Sequence, residues 1–223
     1  MIKETKAMST NSSKTDSISV AVITGGHNFD VPGFQAIFRD MPQVDSYIQY
    51  EENWAADVGN VRDSYDVLLF YNMPRNVPDD RNRSVLERLG QNGQGIFLLH
   101  HAILAYDQWP FWSEIVGISD RSFGYDHEQE LSVEIADAAH PITKDLKPWQ
   151  MVDETYSMAS AGQDSHLLLT TEHPNSMRVL GWTRQFRNSR VFCFQSGHDN
   201  QTYVNPNFRK TILRGIQWCA GRI

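Results

Sequence analysis

The stretch that decides the fold is Gly95–Tyr106, GIFLLHHAILAY. Ile96-Phe97-Leu98-Leu99 form a short apolar run that stops at two adjacent histidines, His100 and His101. A run of this length, bounded by glycine and by polar residues, suits a strand buried on both faces, as in the middle of a parallel sheet covered by helices. The loop leaving the carboxyl end of such a strand is where open α/β folds bind ligands. Two imidazoles at that point make it the first place to look for chemistry.

Working outward, Tyr65–Tyr71 (YDVLLFY) and Ser17–Thr24 (SISVAVIT) read as two more strands of the same kind, and Val44–Tyr50 as a fourth. Helical spacing of Phe34, Ile37, Phe38 and Met41 predicts a helix over about Pro32–Met41, with proline near its start. Asp79 and Asp80 are placed to cap another helix that carries Val85, Leu86 and Leu89. EENWAADVGN (51–60) reads as ambiguous, a short helix at most. This strand–helix alternation argues for parallel strands with right-handed crossovers. After His101 the spacing predicts a helix leaving the sheet and a second one following Pro110. Gly117–Gln129 (GISDRSFGYDHEQ) reads as a long loop or flap. Leu131, Val133 and Ile135 alternate as in a half-exposed strand, and further strands are expected at Met151–Met158 and His166–Thr171. Met177–Phe186 and Arg190–Gln195 read as a hairpin, and a helix over about Asn205–Ala220 closes the chain.

The whole composition bounds what this fold can do. The 223 residues suffice for one substantial core, expected as a single domain over 17–223 behind a polar tail at 1–16. An apolar share of 40% with 11 Phe, 8 Tyr and 6 Trp describes a globular protein. The net charge of −7 and the lack of a basic run argue against a nucleic-acid partner. No run of about 18 apolar residues is available for a membrane span, and the first residues lack a signal peptide's apolar core. Two cysteines, Cys193 and Cys219, form no disulfide framework, so the cytoplasm is the expected location.

Three strands end in histidine within a few residues of their last apolar position: SVAVITGGH at His27, IFLLHH at His100 and His101, and VFCFQSGH at His198. Strand ends of one sense gather on one rim of a parallel sheet. Asp153 and Glu154 join that rim if MVDETY runs alongside. A lone histidine at a strand end is more often a hydrogen-bonded structural residue than a catalyst; the coincidence of three such ends gives the set its weight. Neutral imidazole accepts a proton near physiological pH and imidazolium donates one, and a carboxylate can orient the ring or act as partner acid. His27, His100 and His198 could also hold a divalent metal, but no HxH, HExxH or HxxxH pair occurs and no cofactor is expected. His100 and His101 point to opposite sides if the strand continues through them. There is no GxSxG, no phosphate loop, and no GxGxxG after the first strand.

The spaced set GGHNF (25–29), LLHHA (98–102), HPIT (140–143), DETY (153–156) and RVFCFQSGH (190–198), followed by RGIQWCAG, resembles the ThuA-like, trehalose-utilisation family. The resemblance runs from about Ser17 to the end. It implies a class I glutamine amidotransferase-like fold: a flavodoxin-like three-layer α/β sandwich with a mostly parallel central sheet. In those amidotransferases a cysteine sits on the turn after the strand that matches GIFLLHH. Here His100 and His101 occupy it, with no glycine following to make a tight elbow, so glutaminase chemistry is not expected.

The implied activity is carbohydrate metabolism, on a sugar or a 3-keto-glycoside, by lyase or hydrolase chemistry. His100, His27, His198 and Glu154 are the expected catalytic groups. His101, Asn28, Asp153, His127, Trp109 and Tyr156 are the expected substrate contacts, the last two, with Trp112, as candidates for stacking on a sugar face. The rivals are a non-catalytic sugar-binding domain and a metal-dependent hydrolase built on the same histidines. A small-molecule sugar is the expected partner, and a homo-oligomer is compatible with the sequence.

Overall fold

The computed structural model describes residues 17–223; the expected tail at 1–16 lies outside the described residues. Strands β1 (Ile18–Gly25), β3 (Val67–Asn72) and β4 (Gly95–Leu99) are apolar along nearly their whole length because both faces of each are covered. Side chains alternate across a strand. Val20, Val22, Val67, Leu69, Phe97 and Leu99 therefore enter one core, and Ala21, Ile23, Leu68, Phe70, Ile96 and Leu98 the other. The first core is closed by helices α1 (Val31–Arg39) and α6 (Pro206–Cys219) through Phe34, Ile37, Phe208, Ile212 and Ile216. The second is closed by α2 (Glu51–Ala56), α3 (Asp80–Leu86) and α4 (Pro110–Val116) through Trp54, Leu86, Trp112 and Ile115. The result is a three-layer α/β sandwich. The Asp79 carboxylate caps α3 by accepting from the Asn82 amide at 2.9 Å, and Asn205 caps α6.

The nine strands take the order β2-β1-β3-β4-β9-β8-β7-β5-β6, with β2 at Val44–Tyr50, β7 at His166–Thr170, β8 at Val179–Phe186 and β9 at Ser189–Phe194. The sheet is mixed, where a mostly parallel one was expected. From β2 to β9 neighbours are parallel. From β9 to β6 they are antiparallel; for β8 and β9 the connection is a two-residue turn too short for a crossover.

Two local expectations change. The helix expected directly after His101 is only a 3-10 turn, His100–Ile103; the helix after Pro110 is present as α4. The expected flap is a strand from Gly124 onward: β5 spans Gly124–Ile135. Only Glu134 and Ile135 of β5 pair with β7. The rest pairs with β6 (Trp149–Ser157), with an irregularity between Asp126 and Gln129 where Glu128 takes a φ of +55°. The sequence of this part shows no apolar alternation because most of it is exposed ribbon. The β5–β6 ribbon leaves the sheet edge and returns over the carboxyl ends of β4 and β9. There the Asp153 carboxylate accepts from the Gly197 and His198 amides at 2.9 and 3.0 Å, and Gln195 Nε2 donates to the Glu154 carbonyl at 2.8 Å.

Candidate active site

β4 ends at Leu99, and His100 at once adopts a φ of +53°, the left-handed region that non-glycine residues seldom occupy. Such strain persists only where surrounding contacts over-determine it, and it concentrates at functional sites. The strand-to-turn transition is thus tight although no glycine follows. It also overturns the expected divergence of the two histidines: the strand stops before them, and their ring centroids lie 5.0 Å apart.

His100 is completely buried. Its Nδ1 donates to the Gln195 carbonyl at 2.6 Å, which fixes the tautomer and leaves Nε2 as the exchangeable position. That Nε2 lies 2.8 Å from the Tyr156 hydroxyl and 3.1 Å from Glu154 Oε2. Glu154 is the hub of the site. His198 Nδ1 approaches the same oxygen at 3.4 Å, and His127 Nδ1 reaches Oε1 at 3.1 Å from the exposed face of β5. Burial pushes the Glu154 carboxyl up, but the hydrogen bonds and positive charges of His100 and His198 more than reverse this and hold it well below the usual range. The Glu154 carboxylate in turn raises His198 above the usual imidazole value, against the effect of its partial burial.

His27 and His101 form the opposite wall, ring on ring at 4.4 Å. His27 Nδ1 donates to the Asn28 carbonyl at 2.7 Å, so its Nε2 is the position free to take a proton. Partial burial lowers the His27 pKa, and burial lowers that of His101 well below the usual value, helped by the neighbouring histidines. Both His101 ring nitrogens are buried without a hydrogen-bond partner. The His27 and His198 ring centroids are 6.2 Å apart.

The structure thus brings together His27, His100, His101, His127, His198 and Glu154. The other sequence candidates are placed differently. Asp153 is buried and its carboxylate is occupied by backbone amides. It therefore positions the Gly197–His198 loop and offers no free oxygen to a ligand. Tyr156 is 1% exposed, with its ring stacked on His100 and its hydroxyl on the His100 ring, so its faces are not open to a sugar. Trp109 is 4% exposed in the second core against Tyr106 and Phe111, and Trp112 is fully buried there. Asn28 is exposed at the mouth beside His27.

Sequence reasoning passed over Gln195, whose two ends hold His100 and the Glu154 backbone. It also passed over Tyr71. The Tyr71 ring lies 4.4 Å from His101, and its hydroxyl donates to the Gly197 carbonyl at 2.8 Å. The available signal was position: each is the last or next residue of an apolar strand on the rim.

A divalent ion could be held by His100, Glu154 and His198, which each present a ligand atom, all within 4.8 Å of one another. His27 is not part of this set, where the sequence suggested it. Cys193 and Cys219 are buried core residues with their thiols pushed well up by burial, so neither offers a thiolate to the rim. Among the described residues no helix is long and apolar enough to cross a membrane.

Solved structures with the same fold include ThuA-like proteins from Parabacteroides merdae and Bacteroides uniformis. The first is 20% identical with a TM-score of 0.75, over 93% of this chain and 91% of that one. The second is 17% identical with a TM-score of 0.75, over 96% and 95%. A glutamine amidotransferase from Thermotoga maritima aligns more loosely, at 8% identity and a TM-score of 0.50, over 88% and 80%. A search of curated proteins returns no match. The model of the ThuA family, described as trehalose utilisation, matches residues 23–219, from the end of β1 to the end of α6, and the chain therefore belongs to that family.

Proposed function

We propose that this protein is a cytoplasmic enzyme of carbohydrate metabolism that cleaves a 3-keto-glycoside by histidine acid–base chemistry and is not a glutaminase. The observation that carries the reading is the opposed environment of two neighbouring imidazoles. His27 is shifted toward the neutral base and His198 toward the protonated acid, with ring centroids 6.2 Å apart. Titratable groups pushed apart in this way mark the acid and base of a reaction.

A ketone at C3 acidifies the C2–H bond. His27 Nε2 takes that proton, the C2 electron pair forms the enolate, and its collapse expels the glycosidic oxygen from C1. His198 protonates the departing oxygen. Release of the enone makes the enzyme a lyase; addition of water across the new double bond makes it a hydrolase. Complete burial moves His100 from direct base to the group behind the acid: with Tyr156 it holds Glu154, and Glu154 keeps His198 charged. His101 is 1% exposed, so it backs the His27 ring at 4.4 Å and does not itself meet the substrate.

The test is deuterium exchange at C2 of 3-keto-trehalose in D2O, followed by NMR alongside product formation. Wild type should exchange and cleave. His27→Ala should lose about 10²–10⁴-fold in exchange, the usual contribution of one acid–base group. His100→Ala should lose cleavage while remaining folded. Sugar binding without exchange or product would overturn the reading in favour of a sugar-binding domain.

A second reading is favoured by the His100, Glu154 and His198 cluster. The His100 Nδ1–H bond to a backbone carbonyl is the orientation usual for metal-bound histidines. Stoichiometric zinc or manganese in protein purified without added metal, lost together with activity on chelation, would establish a metal-dependent hydrolase. Full activity in a metal-free preparation would exclude it.

A further inference from the structure

β1 and β2 end side by side, Thr24 opposite Tyr50, and the two exits frame a cleft outside the histidine cluster. β1 leaves through Gly25 and Gly26, with φ of +141° and +72°. Gly26 must be glycine, since a Cβ there would lie 2.6 Å from the Met73 backbone. Gly25 has a different use. A Cβ on it would lie 3.3 Å from Tyr50 Cζ and 3.5 Å from both Cε atoms, so the bare backbone packs under the outer half of the tyrosine ring. One face of Tyr50 is thereby seated while the residue stays 50% exposed. The ring borders a cleft of about 770 Å³ whose other wall runs from Gly26 through His27 and Asn28 to Val31. That volume lies within the roughly 300–1,000 Å³ typical of small-molecule sites. His27 belongs to both spaces, as a wall of the cleft and as the ring stacked on His101.

We propose that this cleft is a second saccharide subsite, which takes the pyranose ring of a two-ring substrate that is not undergoing reaction, with Tyr50 as its stacking platform. This rests on the sugar reading above. The chemistry suits a pyranose: its C–H-rich face packs on the π-face of a seated aromatic, and its rim hydroxyls meet polar groups. An aromatic residue with one face fixed loses little conformational freedom on binding. Asn28 and His27 supply the polar groups on the facing wall. His27 is shared with the acid–base step, but Tyr50, the stacking platform, is not part of it, so the contribution of the second ring can be read at Tyr50.

Isothermal titration calorimetry with two probes, trehalose (two rings) and methyl α-glucoside (one ring), tests the assignment. Wild type should bind trehalose more tightly than methyl α-glucoside. Tyr50→Ala should weaken trehalose binding about tenfold and leave methyl α-glucoside unchanged. Tyr50→Phe should restore trehalose binding. Tyr47→Ala, which removes the other exposed aromatic of β2, three residues away, should change neither. Equal affinity of wild type for the two probes, no measurable binding of either, or equal effects of Tyr50→Ala on both overturns the subsite. Failure of the acid–base reading looks different: the trehalose preference and its dependence on Tyr50 persist while 3-keto-trehalose shows no C2 exchange.

Discussion

Replacing Glu154 by Gln removes the charge that His100, His127 and His198 share while keeping the shape of the side chain. His127 is exposed, and water screens its contact, so it adds little. The contacts to His100 and His198, at 3.1 and 3.4 Å, involve one fully buried and one largely buried ring. Close ion pairs of this kind contribute about as much as a hydrogen bond to a charged group, about 1.5–3 kcal/mol each, and a neutral replacement keeps about 1 kcal/mol of each. The net cost of E154Q near pH 6 should be about 1–4 kcal/mol, a fall in Tm of about 2–16 °C for a chain of this size. The pH window follows from the signs. Glu154 is held below its ordinary 4.5, so its contribution is full above 4.5 and lost as pH falls through the lower folded value. His198 is held above its ordinary 6.5, so its contribution is full below 6.5 and lost as pH rises through the higher folded value. The pair stabilises most between these limits. Urea unfolding of both proteins at pH 6 and pH 9, with chelator present throughout, should show the penalty shrinking to about 1 kcal/mol at pH 9. The His198 ring titration, followed by NMR, should move down in E154Q. An equal penalty at both pH values together with an unmoved His198 titration would refute the reasoning.

Two further predictions concern groups that hold the rim from behind. Arg121 is 2% exposed, its pKa is pulled down to about 10 by burial, and it donates to the Tyr106 carbonyl at 2.5 Å, to the Ala105 carbonyl and to Ser113 Oγ at 3.0 Å. Arg121→Ala leaves those carbonyls unpaired and should cost about 3–5 kcal/mol by thermal unfolding; Arg121→Lys should recover less than half, lacking the planar fork, and a Tm within 2 °C of wild type for the alanine variant would contradict this. Glu51 is buried with its pKa raised by that burial, and its carboxyl bonds the Tyr106 hydroxyl and the Asn72 amide. Its stabilisation is full below the ordinary 4.5 and lost as pH rises through the raised folded value. Glu51→Gln should therefore gain on wild type as pH rises through that window, by at most about 1.4 kcal/mol per pH unit; parallel stability curves would show that Glu51 ionises freely in the folded protein.

Much of the site was legible because its chemistry sits next to strong local patterns. His27, His100, His101 and His198 each follow an apolar run, and strand ends of one sense must share a rim. His127 was harder to place. GYDHEQE carries no alternation, and what makes it a strand is β6, whose Thr155 and Tyr156 pair with Asp126 and Tyr125. The orientation of the His100–His101 pair depended on one dihedral that tertiary contacts impose. Tyr156 and Trp109 looked like sugar platforms because composition cannot tell a buried aromatic from an exposed one. Tyr50 went unremarked because the glycine that seats it lies on a different strand.

The β5–β6 ribbon completes the cluster of histidines and carboxylate on the rim. β4 and β9 complete the parallel half of the sheet, but they bring only His100, His101 and His198. Glu154 and His127 arrive with a ribbon whose attachment to the rim runs through the Asp153 carboxylate and Gln195. A folding intermediate with the parallel half of the sheet formed would have a rim of histidines and no carboxylate to charge them. The activity proposed above should then appear in refolding only at the final docking step, and protection of the Gly197 and His198 amides from hydrogen exchange should appear with it, later than that of β1, β3 and β4.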